Sequence, residues 1–342
     1  MNQVAVCIGG IVIYWSAIVI FLAVAVCFNF AYGLYVANGG KKSAMWTMLP
    51  ISIVLGAVFS RIIHWYCHAE QYSGLIGALT DFGAGDYCLP GAFFGVVIAV
   101  LIVKALRLTD SAAKMFDAIA PAATLGVAVL RMSALFNVSC RGKIQIHDPK
   151  LQMLPLASPV ATANGAVEYR LATFLIQAMI AGILFLARSI FYIIGHDRKL
   201  KDGDTTLIFL LCYCGTQILL DSTRYDSIYF RSNGFVSVVQ VLSAVALGFV
   251  IVWFSIRMVR SKGFKLWYVG LWCSIALRIG GAGYMEYYVQ RHSNLSGMAY
   301  TIMGICLTST ILLTLVIRAI AVQGEKAAEK GIEEGYGEIV TE

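Results

Sequence analysis

The sequence predicts an all-α, polytopic integral membrane protein with about nine transmembrane helices. Of its 342 residues, 59% are hydrophobic and only 13% are charged, whereas soluble domains carry about 25% charged residues. The first 40 residues contain no Asp, Glu, Lys or Arg. Apolar stretches close to the ~20 residues that a spanning helix needs recur along the whole chain. A soluble fold is therefore excluded.

The predicted spans follow one another with short polar connections. They cover residues 8–36, 46–64, 87–106, 115–136, 171–195, 205–221, 234–257, 265–284 and 297–321. No basic residue precedes the first stretch, and its apolar run exceeds the ~7–15 residues of a signal-peptide core. We therefore expect it to be a permanent anchor.

Basic residues are concentrated in every second loop, as short cytoplasmic loops require. They are Lys41 and Lys42, then Lys104, Arg107 and Lys114, then Arg198, Lys199 and Lys201, then Arg257, Arg260, Lys262 and Lys265, and finally Lys326 and Lys330. This alternation predicts an external N-terminus and a cytosolic C-terminus. It also accounts for much of the net charge of +7, so no nucleic-acid partner is expected.

Five arginines lie near the opposite helix ends, where that rule does not place them: Arg61, Arg131, Arg170, Arg224 and Arg278. Arg131 is the most informative, because it terminates a nearly uncharged stretch, and a cation inside a lipid-embedded helix costs ~2.5–3.5 kcal/mol. The planar guanidinium suits phosphate, and lipid headgroups are the nearest anions. For Arg61, Arg170 and Arg278, a side chain that merely reaches the membrane surface remains an alternative.

A polar stripe runs along the sixth predicted span and ends just after it. Tyr213, Gln217, Asp221 and Arg224 are spaced by four, four and three residues, so on a helix they share one face. A stripe of this kind is expected to face a protein interior or a water-filled cavity. Asp221 and Arg224 are then either a structural ion pair or part of a headgroup site.

The segment RMSALFNVSCRGK, residues 131–143, resembles the R-I-G-N-F-x-N-G-E-x-x-G-R signature of the prolipoprotein diacylglyceryl transferases. Arg131, Asn137, Gly142 and the basic Lys143 keep their places. Ala134 and Ser139 stand where the family usually has asparagine and glutamate.

Four further segments resemble the family in the family's order. Residues 56–66 retain Arg61, and residues 89–97 carry Pro90 in place of a histidine. Residues 213–226 carry Gln217 in place of an arginine that matters to catalysis in typical members. Residues 233–248 retain Gln240.

The resemblance implies a seven-helix transferase-like domain over residues 1–258. Residues 259–322 would then form extra transmembrane helices and residues 323–342 an acidic cytosolic tail. The implied reaction moves diacylglycerol from phosphatidylglycerol to the lipobox cysteine of secreted precursors. The partners would be phosphatidylglycerol, prolipoprotein signal peptides and the lipid bilayer. The implied location is the bacterial plasma membrane, with a multi-pass topology.

The resemblance also assigns residue roles. Arg131 and Asp221 are the catalytic candidates, and Arg131, Arg224, Lys143 and Arg61 are the candidates for phosphate binding. The residues expected to line the site are Asn137, Gly142, Tyr213, Gln217 and Gln240. The nine cysteines show no metal-ligand spacing, so neither a metal nor a cofactor is expected.

The general base is left open by the sequence. Pro90 cannot accept a proton, and Tyr87, Asp86, His64 and Asp221 are the possible substitutes. The replacements at Pro90, Ala134, Ser139 and Gln217 keep two other functions in view. These are a lipid-binding family member with altered or lost activity, and a membrane transporter or flippase.

Overall fold

The computed structural model describes residues 4–9, 11–80, 87–136, 142–162, 166–194, 201–230, 233–292 and 296–341. It is mostly helical. The α-helices in these ranges are α1 (Trp15–Ala37), α2 (Lys42–Cys67), α3 (Leu75–Thr80), α4 (Leu89–Ala105), α5 (Ala112–Arg131), α6 (Pro149–Gln152), α7 (Thr173–Ile194), α8 (Asp204–Ser222), α9 (Val238–Lys262), α10 (Trp267–Arg291) and α11 (Ser296–Thr341). Short 3₁₀ helices cover Ala69–Gln71 and Met132–Phe136.

Seven helices within the described ranges are long and apolar enough to cross a membrane. They are α1, α2, α5 with the following 3₁₀ turn, α7, α8, α9 and α11. Helix α4 is also apolar but has only 17 residues, and α10 carries Arg278 and a buried Glu286. The predicted class of polytopic helical membrane protein is confirmed. The count of nine spans and the orientation stay predictions.

Three short antiparallel hairpins accompany the helices. They pair β1 (Val4–Ile8) with β2 (Ile11–Tyr14), β3 (Ala157–Ala161) with β4 (Val167–Leu171), and β5 (Tyr229–Phe230) with β6 (Asn233–Ser237). The first hairpin shortens the first predicted span, since α1 begins only at Trp15. The cause is local: β-branched residues flank a turn at Gly9, whose φ is +56°.

The chain folds into two compact units. The first contains Met1–Phe209 and Leu220–Leu242, and the second contains Leu210–Leu219 and Ser243–Glu342. In the first unit, α1, α2, α4 and α5 pack around small and unbranched side chains such as Ala44, Met45 and Ala99, all fully buried. Helices α2 and α4 approach closely at Gly91 and Gly95, where a Cβ would overlap the backbone of α2. Small residues of this kind drive helix association in membranes.

Helix α8 is anchored at its start by α5. The carboxylate of Asp117 accepts hydrogen bonds from the backbone N–H of Gly203 at 2.6 Å and of Thr206 at 2.9 Å. A carboxylate in this position satisfies N–H groups that the first helical turn leaves without partners.

In the second unit, α10 and α11 pack together, and α9 is joined to α11. The Arg278 Nε donates to the Ser309 Oγ at 3.0 Å. The guanidinium of Arg257 donates to both carboxylate oxygens of Glu325, at 2.8 and 2.9 Å. The predicted division at residue 258 rests on the family resemblance and stays a prediction.

Candidate functional site

The last turn of α8 buries a carboxylate whose two oxygens are both hydrogen-bonded. Asp221 is 0% exposed. Its Oδ2 accepts a hydrogen bond from the Ser237 hydroxyl, and its Oδ1 lies 3.5 Å from the Nη1 of Arg224. A buried charge needs partners of this kind. The predicted Asp221–Arg224 ion pair is therefore present.

A second acid holds Arg224 more tightly than Asp221 does. The Nη2 and Nε of Arg224 donate to the two oxygens of Asp226 at 2.6 and 3.0 Å, a two-pronged geometry that is among the stronger charge-assisted interactions. The two side chains are 14% and 24% exposed. The sequence pattern predicts no role for Asp226, although this residue lies only two positions after Arg224.

Ser237 and Gln240 form a capping box at the start of α9. The Ser237 Oγ accepts a hydrogen bond from the backbone N–H of Gln240 at 3.1 Å, and the Gln240 Oε1 accepts one from the backbone N–H of Ser237 at 2.9 Å. This reciprocal pattern satisfies two N–H groups at a helix start. Because the same hydroxyl also donates to Asp221, the start of α9 is joined to the end of α8.

The two motifs expected to form one site meet at the end of α8. Gly142 pairs with Arg224 as a β-bridge, and the backbone N–H of Lys143 donates to the Thr223 carbonyl at 2.8 Å. Only glycine fits at position 142, because a Cβ there would overlap the backbone carbonyl oxygen of Leu171 and lie 2.7 Å from the Thr173 Oγ1. The docking places Lys143 beside Arg224, 81 positions away in the sequence.

Lys143 contacts a residue that the sequence analysis missed. Its Nζ donates to the Tyr229 Oη at 2.5 Å and lies 5.1 Å from the centre of the same ring. Tyr229 is in β5 and pairs with Ser237 of β6. These contacts complete the Asp221 cluster, which we define as Gly142, Lys143, Asp221, Arg224, Asp226, Tyr229, Ser237 and Gln240.

Arg131 is the last residue of α5, and packing contacts connect this helix end to the cluster. In the 3₁₀ turn that follows it, Ala134 packs with Ala172 at the start of α7. The next residue, Thr173, places its Oγ1 3.0 Å from that of Thr223, directly before Arg224. The C-terminal ends of α5 and α8 and the start of α7 thus lie together.

Arg61 occupies a separate aromatic environment on α2. Its side chain is buried, at 4% exposure, and its guanidinium lies 5.9 Å from the Tyr72 ring centre and 5.2 Å from that of Tyr87. Aromatic faces attract a cation in this way. The hydroxyl of Tyr72 lies 2.9 Å from the Nδ1 of His64. The strand β5, which carries Tyr229 of the cluster, packs against α2.

The other predicted site residues have different positions. Gln240 is in the cluster. Tyr213 and Gln217 are buried on α8, at 6% and 1% exposure, in the stretch that belongs to the second unit. Asn137 lies outside the described residues, as do Ser139 and Asp86.

The fold and the site together define a class: a polytopic membrane protein with buried acids and arginines gathered at the ends of its helices. Residues 3–257 match the family described as prolipoprotein diacylglyceryl transferase. That range is most of the sequence. The chain belongs to this family and is at that level a transferase.

Curated relatives agree with the family match at low identity, and each is named a phosphatidylglycerol–prolipoprotein diacylglyceryl transferase. The protein from Acaryochloris marina is 26% identical over 246 residues, 70% of this chain and 85% of the relative. The protein from Finegoldia magna is 24% identical over 253 residues, 72% and 94% of the two chains. The protein from Shouchella clausii is 25% identical over 261 residues, 72% and 89%.

Proposed function

We propose that this protein moves diacylglycerol from phosphatidylglycerol to the lipobox cysteine of secreted prolipoproteins, in the bacterial plasma membrane. One observation carries the proposal. Gly142 and Lys143 dock on Thr223 and Arg224, so the two motifs expected to bind the lipid phosphate share one site. Family membership and the names of the relatives support the same activity.

The proposed reaction exchanges one carbon–oxygen bond for one carbon–sulfur bond. The thiolate sulfur attacks the diacylglyceryl carbon that carries the phosphate ester, because the thiolate is the nucleophilic form of cysteine. The carbon–oxygen bond breaks, and its electron pair stays on the departing glycerol phosphate. Fixed cations beside that oxygen stabilise the charge as it develops. The thiol proton passes to a base.

Arg131 and Lys143 are the cations that we assign to the phosphate. Lys143 is solvent-exposed, and Arg131 is the last residue of α5. Asp226 and Asp221 hold the Arg224 guanidinium in a fixed position and compensate its charge, so Arg224 is a weaker candidate for phosphate binding than Arg131 and Lys143. We assign Asp221 a positioning role, since it is fully buried and its oxygens are both hydrogen-bonded.

An apolar depression along α1 and α5 supplies a place for the lipid tails. Its volume is about 560 Å³, and its lining residues are Leu22, Ala25, Val26, Asn29, Phe30 and Leu125. Leu125 precedes Arg131 by six residues, which is about 9 Å along a helix. A lipid whose phosphate is at Arg131 would therefore extend its chains toward this depression.

A reconstituted assay tests the proposal. The purified protein receives phosphatidylglycerol and a lipobox peptide, and the thioether product and released glycerol phosphate are measured. We expect both products from the native protein and from Arg260→Ala, a matched change at an exposed arginine. Arg131→Ala is expected to lose both.

Two other outcomes would replace the proposal. A folded protein that binds phosphatidylglycerol without forming product would be a lipid-binding family member without this activity. Uptake of a water-soluble solute into proteoliposomes would identify a transporter.

A further inference from the structure

The proposed reaction needs a proton acceptor, and the position that carries a histidine in the family is Pro90. This residue lies in the first turn of α4 and has no titratable group. Three of the substitutes that the sequence suggested lie within the described ranges. Asp221 is inaccessible at 0% exposure. His64 is 9% exposed and its Nδ1 lies 2.9 Å from the Tyr72 hydroxyl. Tyr87 has its ring against Arg61.

Tyr229 differs from these three because a cation contacts its phenol oxygen in the cluster itself. The Lys143 Nζ donates to the Tyr229 Oη at 2.5 Å. A hydrogen bond from an ammonium group to an ionised oxygen is roughly twice as strong as one between neutral groups. The Lys143 contact therefore stabilises negative charge that develops on the Tyr229 oxygen while a proton is passed through it.

The backbone holds Tyr229 at a defined place beside the phosphate-binding cations. Tyr229 pairs with Ser237, whose hydroxyl donates to Asp221. Lys143 is fixed in turn by the hydrogen bond from its backbone N–H to the Thr223 carbonyl. Tyr229 is half-buried and Lys143 is exposed, so a peptide thiol has access to the phenol oxygen.

We infer that Tyr229 is the general base: its phenol oxygen takes the proton from the acceptor cysteine as its own proton passes to water, with the Lys143 Nζ donating to the same oxygen. The inference rests on the proposed function. The S–H proton moves to the Tyr229 oxygen and the phenol's own proton passes to water as the sulfur–carbon bond forms and the carbon–oxygen bond to phosphate breaks. The phenol is thereby regenerated, and the Lys143 ammonium stays charged throughout.

A change of nucleophile separates a base from a structural residue. A selenol is already ionised at neutral pH, so a lipobox peptide with selenocysteine in place of cysteine needs no base. The variant Tyr229→Phe keeps the ring and removes only the hydroxyl. Tyr225→Phe is the matched control, since Tyr225 is an exposed tyrosine four residues earlier whose ring lies 5.6 Å from the Arg170 guanidinium.

We expect Tyr229→Phe to lower kcat with the cysteine peptide by about 10²–10⁴-fold, the range for loss of a positioned base. With the selenocysteine peptide, the variant should recover to within about tenfold of the native protein. Tyr225→Phe should leave both rates unchanged. Phosphatidylglycerol binding should persist in Tyr229→Phe, which shows that the site still folds.

Distinct results would overturn the inference and the proposed function. Full activity of Tyr229→Phe with the cysteine peptide would exclude Tyr229 as the base, and so would an equal loss with both peptides. In either case the proposed function would stand, because the native protein turns over. If the native protein forms no thioether with either peptide, the proposed function fails and the inference fails with it.

Discussion

Ser237→Ala should weaken the junction between α8 and α9 more than any ordinary serine truncation. The Ser237 hydroxyl accepts a hydrogen bond from the Gln240 N–H and donates one to the buried Asp221. Losing a helix N-cap costs about 1 kcal/mol. Leaving a buried acceptor unsatisfied costs a further ~1–3 kcal/mol. We therefore expect a total loss of about 2–4 kcal/mol.

The measurement is thermal unfolding of the purified protein in detergent, monitored through the residual activity and the monodispersity of samples heated to each temperature. At ~2–4 °C for each kcal/mol in domains of 150–250 residues, the apparent Tm should fall by roughly 5 °C or more. Ser52→Ala is the matched control, because the Ser52 Oγ donates to the Leu49 carbonyl of its own helix at 2.8 Å. We expect that control to stay within about 0.5 kcal/mol of the native protein.

Gln240→Ala removes the other half of the capping box. Because the two side chains act on one helix start, the effects of Ser237→Ala and Gln240→Ala should combine to less than their sum. The reasoning is refuted if Ser237→Ala destabilises the protein no more than Ser52→Ala does. If the losses in free energy of unfolding from Ser237→Ala and Gln240→Ala are strictly additive, the two hydrogen bonds are independent.

Three further changes test the cluster. Arg131→Ala should lower kcat by about 10²–10³-fold with intact folding, and a loss confined to KM would contradict a role in the transition state. Asp226→Asn should lower the free energy of unfolding by about 1–3 kcal/mol, between the values for exposed and buried ion pairs. In a double-mutant cycle with Arg224→Met, the two changes should be coupled. Additive effects of the two changes would contradict the ion pair's contribution. Gly142→Ala should cost about 1–3 kcal/mol and most activity, because the new Cβ meets the Thr173 Oγ1; an unchanged Tm and rate would show that the loop yields easily.

Composition and periodicity were enough to predict the membrane class and one of the ion pairs. The bilayer requires long apolar helices, so hydropathy alone indicates most of the spans. The Asp221–Arg224 pair is separated by one helical turn, and its spacing indicates contact. The same hydropathy averaging hid the hairpin at Val4–Tyr14, because short strands rich in β-branched residues are as apolar as a helix.

The junction of the two motifs depends on long-range packing that no local pattern specifies. Gly142 meets Arg224 because the start of α7 and the end of α8 come together at Thr173 and Thr223. The contact of Lys143 with Tyr229 spans 86 positions, and β5 has only two residues, too few for a strand pattern. The capping box is different: the spacing S-x-x-Q at Ser237 is a known helix-start signal and was available in the sequence.

The alanine at position 134 affects how much charge the neighbouring cations must stabilise in the proposed reaction. Where the family motif usually has an asparagine, Ala134 is buried at 6% exposure and packs with Ala172 and Phe174. The chain has thus exchanged a polar side chain near Arg131 for an apolar contact that fixes the start of α7. With fewer polar groups beside the proposed phosphate position, each remaining cation must stabilise more of the charge that develops in the proposed reaction. The loss in Arg131→Ala should therefore lie near 10³ rather than 10². Restoring the asparagine at Ala134 would not simply reverse this, because the larger side chain would overpack the site at a cost of about 1–3 kcal/mol.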